Sequence, residues 1–321
     1  MNTEKFFFRE YVDSDLKEVL DLWEYFSGWG RPEESEFKMW LPGPFGDAII
    51  FLATDKSDKI VGQIFYTPTL MYLSSMEVKA VKISAPIIHE EYRSSVYAES
   101  KSLVVELFLE GNKYIKEKGY NWLYTMPAYG WVKSLKSIHK VGLFPWKIQI
   151  FPCLQILEED VEDTKYTLHE LNGFTNEFNL IWEKFKLKNS NLSFINRSKE
   201  WLNYKWRNDL IVGIFDLEKK LTGYFVIKKN SGLILDFLMI EFIDVPLLFK
   251  KLKKFHLLWI EKAIPIEKQE LKIISNDFLK PFLDQLKTQY VEYKFVFGIS
   301  STVSVAEVEN LDNEWFIFPN D

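Results

Sequence analysis

Val78-Lys79-Ala80-Val81-Lys82-Ile83-Ser84-Ala85-Pro86-Ile87-Ile88-His89-Glu90-Glu91-Tyr92-Arg93-Ser94-Ser95-Val96-Tyr97-Ala98 sets the orientation of the whole chain. Its first half is rich in β-branched and apolar residues and reads as a strand. Its second half is short and polar. A helix of about twenty residues follows, with Leu103, Leu107, Gly111 and Tyr114 at helical spacing. Strand, polar turn and helix together present the first amides of the helix, unpaired and partly positive, to whatever lies in front of them. Such an end binds anions, commonly a pyrophosphate.

The segment Arg93-Ser94-Ser95-Val96-Tyr97-Ala98 resembles the acyl-CoA loop of the GNAT N-acetyltransferase superfamily, Gln/Arg-x-x-Gly-x-Gly/Ala, and His89-Glu90-Glu91-Tyr92-Arg93 is similar to the lead-in His-Pro-x-Tyr-Arg of a bacterial branch. Arg93 and Ala98 occupy the motif positions. Val96 stands where the central glycine belongs and Glu90 where the proline does. Glycine there lets a pyrophosphate approach the backbone, whereas valine puts two methyl groups in that space.

At 321 residues the chain exceeds the usual single domain, so two domains of similar length are expected. Aromatic residues make up 17%, more than cores alone require, and a surplus lines clefts for apolar or ring-shaped ligands. The 40 basic and 46 acidic side chains leave a formal charge of −6, which gives no electrostatic reason to expect nucleic acid or anionic lipid as partner. A single cysteine, Cys153, excludes an internal disulfide. His89, His139, His169 and His256 show no metal-site spacing, so no metal is expected. No apolar run approaches the ~18 residues of a membrane span. The N-terminus lacks a signal sequence, and the expected location is cytoplasmic.

In chain order, residues 6–11 read as a strand, and Asp13-Ser14-Asp15 caps an amphipathic helix carrying Leu16, Val19, Leu20, Trp23 and Phe26. A second helix over 33–41 is closed by Pro42-Gly43-Pro44. Strands follow over 48–53 and 60–66, then 70–76 leads into the strand quoted first. Beyond the long helix come a short strand over 121–127, a helix over 129–140 and a closing strand over 144–157. Arg9 to Asp15, Val61-Gly62 and Val141-Gly142-Leu143-Phe144 are also similar to family patterns. In that family the two early helices border the acceptor site, which makes Trp23 and Trp29 candidates for acceptor binding. A tyrosine that protonates the departing thiolate is usual where this chain has Ile138; Tyr129 and His139 are the nearby substitutes.

Glu158-Glu159-Asp160-Val161-Glu162-Asp163 is an acidic break, and the domain boundary is placed there. The pattern then restarts with a strand over 166–171, helices over 175–187 and 198–208, strands over 211–217, 221–228 and 233–242, a long helix, a strand over 271–275, a helix over 278–286 and strands after 290. The second half has Ile243-Asp244-Val245-Pro246 where an acyl-CoA loop would stand. Arg197, Tyr204 and Arg207 lie in a segment that resembles the second half of tandem GNAT-like proteins. These three either belong to a helix that anchors the interface between the two halves or bind an anionic acceptor, for which a guanidinium fork suits better than lysine.

The resemblance implies an α/β (α+β) fold with two GNAT-like domains in tandem, 1–157 and 164–321, each a mixed, mostly antiparallel sheet flanked by helices. Its implied activity is N-acyl transfer from acetyl-CoA or another acyl-CoA to a small-molecule amine, such as an aminosugar of a surface-polysaccharide pathway. On that reading Ile87, Ile88 and His89, with Arg93, Ser94, Ser95, Val96, Tyr97 and Ala98, hold the cofactor. Glu90, Glu91 or a water relays the amine proton, and Tyr129 or His139 protonates sulfur. The second domain is a non-catalytic copy. Two alternatives stay open: a peptidoglycan-type aminoacyl transferase, and an inactive GNAT-fold binding protein.

Overall fold

The computed structural model describes residues 6–93, 102–133, 135–136, 146–157, 165–263, 270–302, 307–308, 311 and 315–318. Two compact units emerge, built from interleaved segments. Unit 1 comprises Met1–Leu70, Val78–Gln149 and Val296–Asp312; unit 2 comprises Met71–Glu77, Ile150–Phe295 and Asn313–Asp321. The acidic segment chosen from sequence as the boundary lies outside the described residues.

Unit 1 begins with strand β1 (Phe7–Glu10), a single 3-10 turn and helix α1 (Leu16–Phe26). Asp15 fixes this junction. Its carboxylate accepts the Val12 N–H at 2.9 Å and both guanidinium nitrogens of Arg9 at 2.5 and 2.9 Å. Helix α2 (Glu34–Trp40) follows, then strands β2 (Ile49–Thr54), β3 (Ile60–Leu73) and β4 (Met76–Ile88). The last two are far longer than a typical strand of about 5–6 residues. They absorb the separate 60–66 and 70–76 strands expected from sequence. Strands β1 and β2, and β2 and β3, pair antiparallel.

Helix α3 (Leu103–Glu117) buries Leu103, Leu107, Phe108 and Ile115 against one face of this sheet, while α1 and α2 bury Val19, Leu20 and Phe37 against the other. It starts later than the sequence suggests, because Ser102 has extended backbone angles (φ −75°, ψ 140°) that cannot continue a helix from Ala98. Strand β5 (Trp122–Thr125) lies parallel to β4, pairing Ala80 with Trp122 through Ile83 with Thr125. Its other edge is not taken by the expected closing strand. Antiparallel residues 298–301 fill it, with Gly298 opposite Thr125. A side chain at Gly298 would press on Trp146 at 3.2 Å, so glycine is what lets the strand lie there.

In unit 2 a four-stranded antiparallel sheet runs β11 (Ile234–Met239), β10 (Leu221–Ile227), β9 (Leu210–Phe215), β7 (Thr167–Leu171). Helices α4 (Asn176–Lys188), α5 (Lys199–Lys205) and α6 (Val245–Ala263) accompany it. Strand β6 (Lys147–Ile156) pairs antiparallel with β12 (Lys272–Ile274), and β8 (Ser193–Ile195), absent from the sequence expectations, pairs with β14 (Trp315–Phe316). Helix α7 (Lys280–Leu283) precedes β13 (Thr288–Ser301), which starts in unit 2 and ends in unit 1. Sheets of mixed, mostly antiparallel strands flanked by helices thus make up both units, as the sequence reading expects. No helix among the described residues is long and apolar enough to cross a membrane.

Candidate functional site

The β4–β5 ladder is only four residues long, and its end is closed by Thr125, whose hydroxyl donates to the Ile83 carbonyl at 3.0 Å. Strand β4 continues five residues further to Ile88, past the last residue of β5. Within that extension Ala85 has φ +47°, a left-handed conformation inside a strand. For an L-residue this costs roughly 1–2 kcal/mol and turns the strand locally.

The direction of each amide follows from the hydrogen bonds. His89 donates to the Val61 carbonyl of β3 at 2.9 Å, so Ile88 points the opposite way, since neighbouring residues of a strand alternate. The Ile88 carbonyl on that side accepts from Arg93 Nε at 2.8 Å. The N–H of the same residue shares the side of its carbonyl and faces the region beyond β5.

A cavity of about 240 Å³ occupies this place, and the described residues that line it belong to unit 1. Pro86, Ile87 and Ile88 form one wall, Ser102 and Val104 at the start of α3 another. The end of α1 supplies Phe26, Ser27 and Trp29; Tyr92, Arg93 and Trp131 complete the lining. Gly28 and Gly30, with φ of +79° and +83°, turn the chain out of α1 on either side of Trp29. The Ser27 hydroxyl caps this end by donating to the Trp23 carbonyl and accepting from the Trp29 N–H at 2.8 Å. Arg93 reaches across to the Phe26 carbonyl at 2.7 Å and so ties α1 to β4.

Of the residues selected from sequence, Trp29, Ile87, Ile88 and Arg93 come together around the cavity. Trp23 stands behind Trp29, ring centroids 5.5 Å apart. His89 packs its ring 4.3 Å from Phe26, and its Nδ1 accepts the Glu91 N–H. Glu90 is exposed at the opening of the turn Glu90–Tyr92, and Tyr129 is half exposed two residues before Trp131. Ser94, Ser95, Val96, Tyr97, Ala98, Ile138 and His139 lie outside the described residues. Arg197, Tyr204 and Arg207 belong to unit 2. The Arg197 guanidinium is buried there, donating to Asp236 at 2.9 Å and to the Ile195 carbonyl at 2.8 Å, with Phe316 under its plane. Arg207 lies over the Tyr204 ring at 5.6 Å. Among the described residues no group of three or more His, Cys, Asp or Glu is placed to hold a metal.

Sequence reasoning missed Phe26, Tyr92, Ser102, Val104 and Trp131. Tyr92 carried a signal as the tyrosine of the lead-in before Arg93, and Ser102 as the serine immediately before an apolar helical run.

No protein-family profile matches the chain, and no curated protein matches it in sequence. Solved structures do match. A GCN5-related N-acetyltransferase from Anabaena variabilis superposes with TM-score 0.64 at 10% identity, covering 92% of this chain and 72% of that one. The tandem GNAT protein of the clavulanic acid biosynthesis pathway gives 0.60 at 11% identity, over 92% and 98% of the two chains. N-myristoyltransferase of Saccharomyces cerevisiae, solved with bound myristoyl-CoA, gives 0.58 at 12%, over 94% and 83%. The chain has a GNAT fold. Identities this low establish the GNAT fold alone, which is an architecture of acyl-CoA-dependent transferases.

Proposed function

We propose that the protein is an N-acyltransferase that moves an acyl group from acyl-CoA to a small-molecule amine. The observation that carries this reading is β4 running past the end of β5 with Ile87 and Ile88 lining the cavity there. An amide at that point donates to a thioester carbonyl and gains strength as the oxygen becomes negative in the tetrahedral adduct. Arg93 and the amides at the start of α3 are the described groups that suit the anionic part of the coenzyme. Ser94 to Ala98 are proposed to complete that cradle.

In the reaction the amine nitrogen attacks the thioester carbon, a C–N bond forms and the C–S bond breaks. The amine proton passes to Glu90 through water, and the thiolate takes a proton from Tyr129 or His139. Trp23 and Trp29 are proposed to border the acceptor; an aminosugar is the preferred acceptor class. Arg197 supports no role in binding, because its fork is already occupied by Asp236 in a buried pair.

Isothermal titration with acetyl-CoA and with CoA, followed by release of free thiol in the presence of a panel of amines, tests this function. Saturable heat and amine-dependent thiol release are expected. An absence of heat together with no thermal stabilisation at millimolar coenzyme overturns it.

A further inference from the structure

The cavity is larger and more apolar than an acetyl group requires. An engineered apolar cavity of about 150 Å³ takes up benzene, whereas this one measures about 240 Å³ and is walled by Phe26, Trp29, Tyr92, Trp131, Val104 and Ile87. An acetyl group brings a single methyl to fill it. Roughly eight to ten carbons match the space on the same scale.

One polar side chain of the wall has no hydrogen-bond partner among the described residues. The Ser102 hydroxyl is buried, Ser102 being 5% exposed, and the residue lines the cavity. Ser102 occupies the N-cap position of α3, yet its side chain caps nothing. A serine there ordinarily accepts the N–H of the second or third helical residue. This one has no such partner, and a buried hydroxyl without a partner is costly.

We propose that the cavity selects an apolar acyl group of about eight to ten carbons, and that the Ser102 hydroxyl donates to a carbonyl oxygen of that acyl thioester. This rests on the acyl-CoA reading above. The apolar walls exclude water from the chain, and the serine supplies the one directional contact that an apolar pocket otherwise lacks.

The test is calorimetric titration of the full chain with CoA, acetyl-CoA, hexanoyl-CoA and octanoyl-CoA. Hexanoyl-CoA or octanoyl-CoA is expected to bind at least tenfold tighter than acetyl-CoA. Val104→Phe, which fills the cavity from α3, is expected to abolish that preference. Ser102→Ala is expected to weaken the acyl-CoAs about tenfold, to leave CoA unchanged and to leave the melting temperature within a degree. A fall in melting temperature with unchanged affinity assigns Ser102 to capping and overturns its role. Equal affinity across the acyl series overturns the size selection while the transferase reading stands. If CoA and every thioester fail to bind, both readings fall.

Discussion

Arg93 donates through Nε to the main-chain oxygen of Ile88 at 2.8 Å, so the side chain selected from sequence as a coenzyme ligand also builds the wall of the cavity. Its second bond, to the Phe26 carbonyl, draws the end of α1 against β4. Arg93→Ala is expected to lower the unfolding free energy by about 1–2 kcal/mol, the usual net worth of one or two hydrogen bonds, and to weaken acyl-CoA about tenfold. Lysine has no planar fork and is expected to restore neither bond pair. Urea melts and titrations on Arg93→Ala and Arg93→Lys check this; full recovery with lysine refutes the bracing role.

Arg197 and Asp236 form a second pairing, in the core of unit 2, with the Tyr224 hydroxyl and the Phe237 N–H also donating to the same carboxylate. Removing one partner strands the other charge away from water. Arg197→Met is therefore expected to cost about 3–5 kcal/mol, and replacing both residues with apolar ones to cost much less. Chemical denaturation of the single and double variants measures the difference.

Gly111 lies in the middle of α3, where alanine ordinarily gains about 1 kcal/mol. Here a Cβ would meet the Tyr66 hydroxyl at 2.3 Å, and Tyr66 is fully buried and hydrogen-bonded to Asn112. Gly111→Ala is expected to destabilise by a net ~1–2 kcal/mol, overpacking outweighing propensity. In a Tyr66→Phe background most of that penalty should vanish, which a double-mutant cycle reads directly.

His256 on α6 is fully buried, with neither ring nitrogen hydrogen-bonded. Burial disfavours its charged form and pushes its pKa down to about 4. The unfolded chain, with histidine near 6.5, binds the proton first, so stability falls as pH drops through 6.5 and the loss is complete near 4. Its size is about 3 kcal/mol. Asp15 adds a loss at lower pH. Arg9 holds its carboxylate below the ordinary range, so its contribution is present above the unfolded value and fades as pH falls through the lowered one. Stability of the wild type and His256→Leu compared between pH 7 and 4 tests the first effect: the variant should lose the steeper slope.

Local signals made much of this architecture readable. Helix α1 announced itself through Asp13 to Asp15 and the spacing of Val19, Leu20 and Trp23, and β9, β10 and β11 through apolar runs bounded by Asp216 and Gly232. Ile87, Ile88 and Arg93 were selected as coenzyme ligands, and Trp29 as an acceptor residue, through the resemblance to the GNAT loop and its early helices. Other features had no local signature. The pairing of Gly298 with Thr125 joins residues far apart in sequence, and no pattern near either names its partner. Phe26 and Trp131 look in sequence like any core aromatic; only the fold puts them around a cavity. The three residues of β8 are too few to show a period.

Strand β13 gives the chain an unusual order of completion. The residues that finish the sheet of unit 1 lie at 298–301. During synthesis at the ribosome, β1 to β5 emerge long before the strand that covers the free edge of β5. A fragment ending near residue 157 should expose that edge and self-associate, and maturation of this part of the sheet should wait for the end of translation rather than its midpoint.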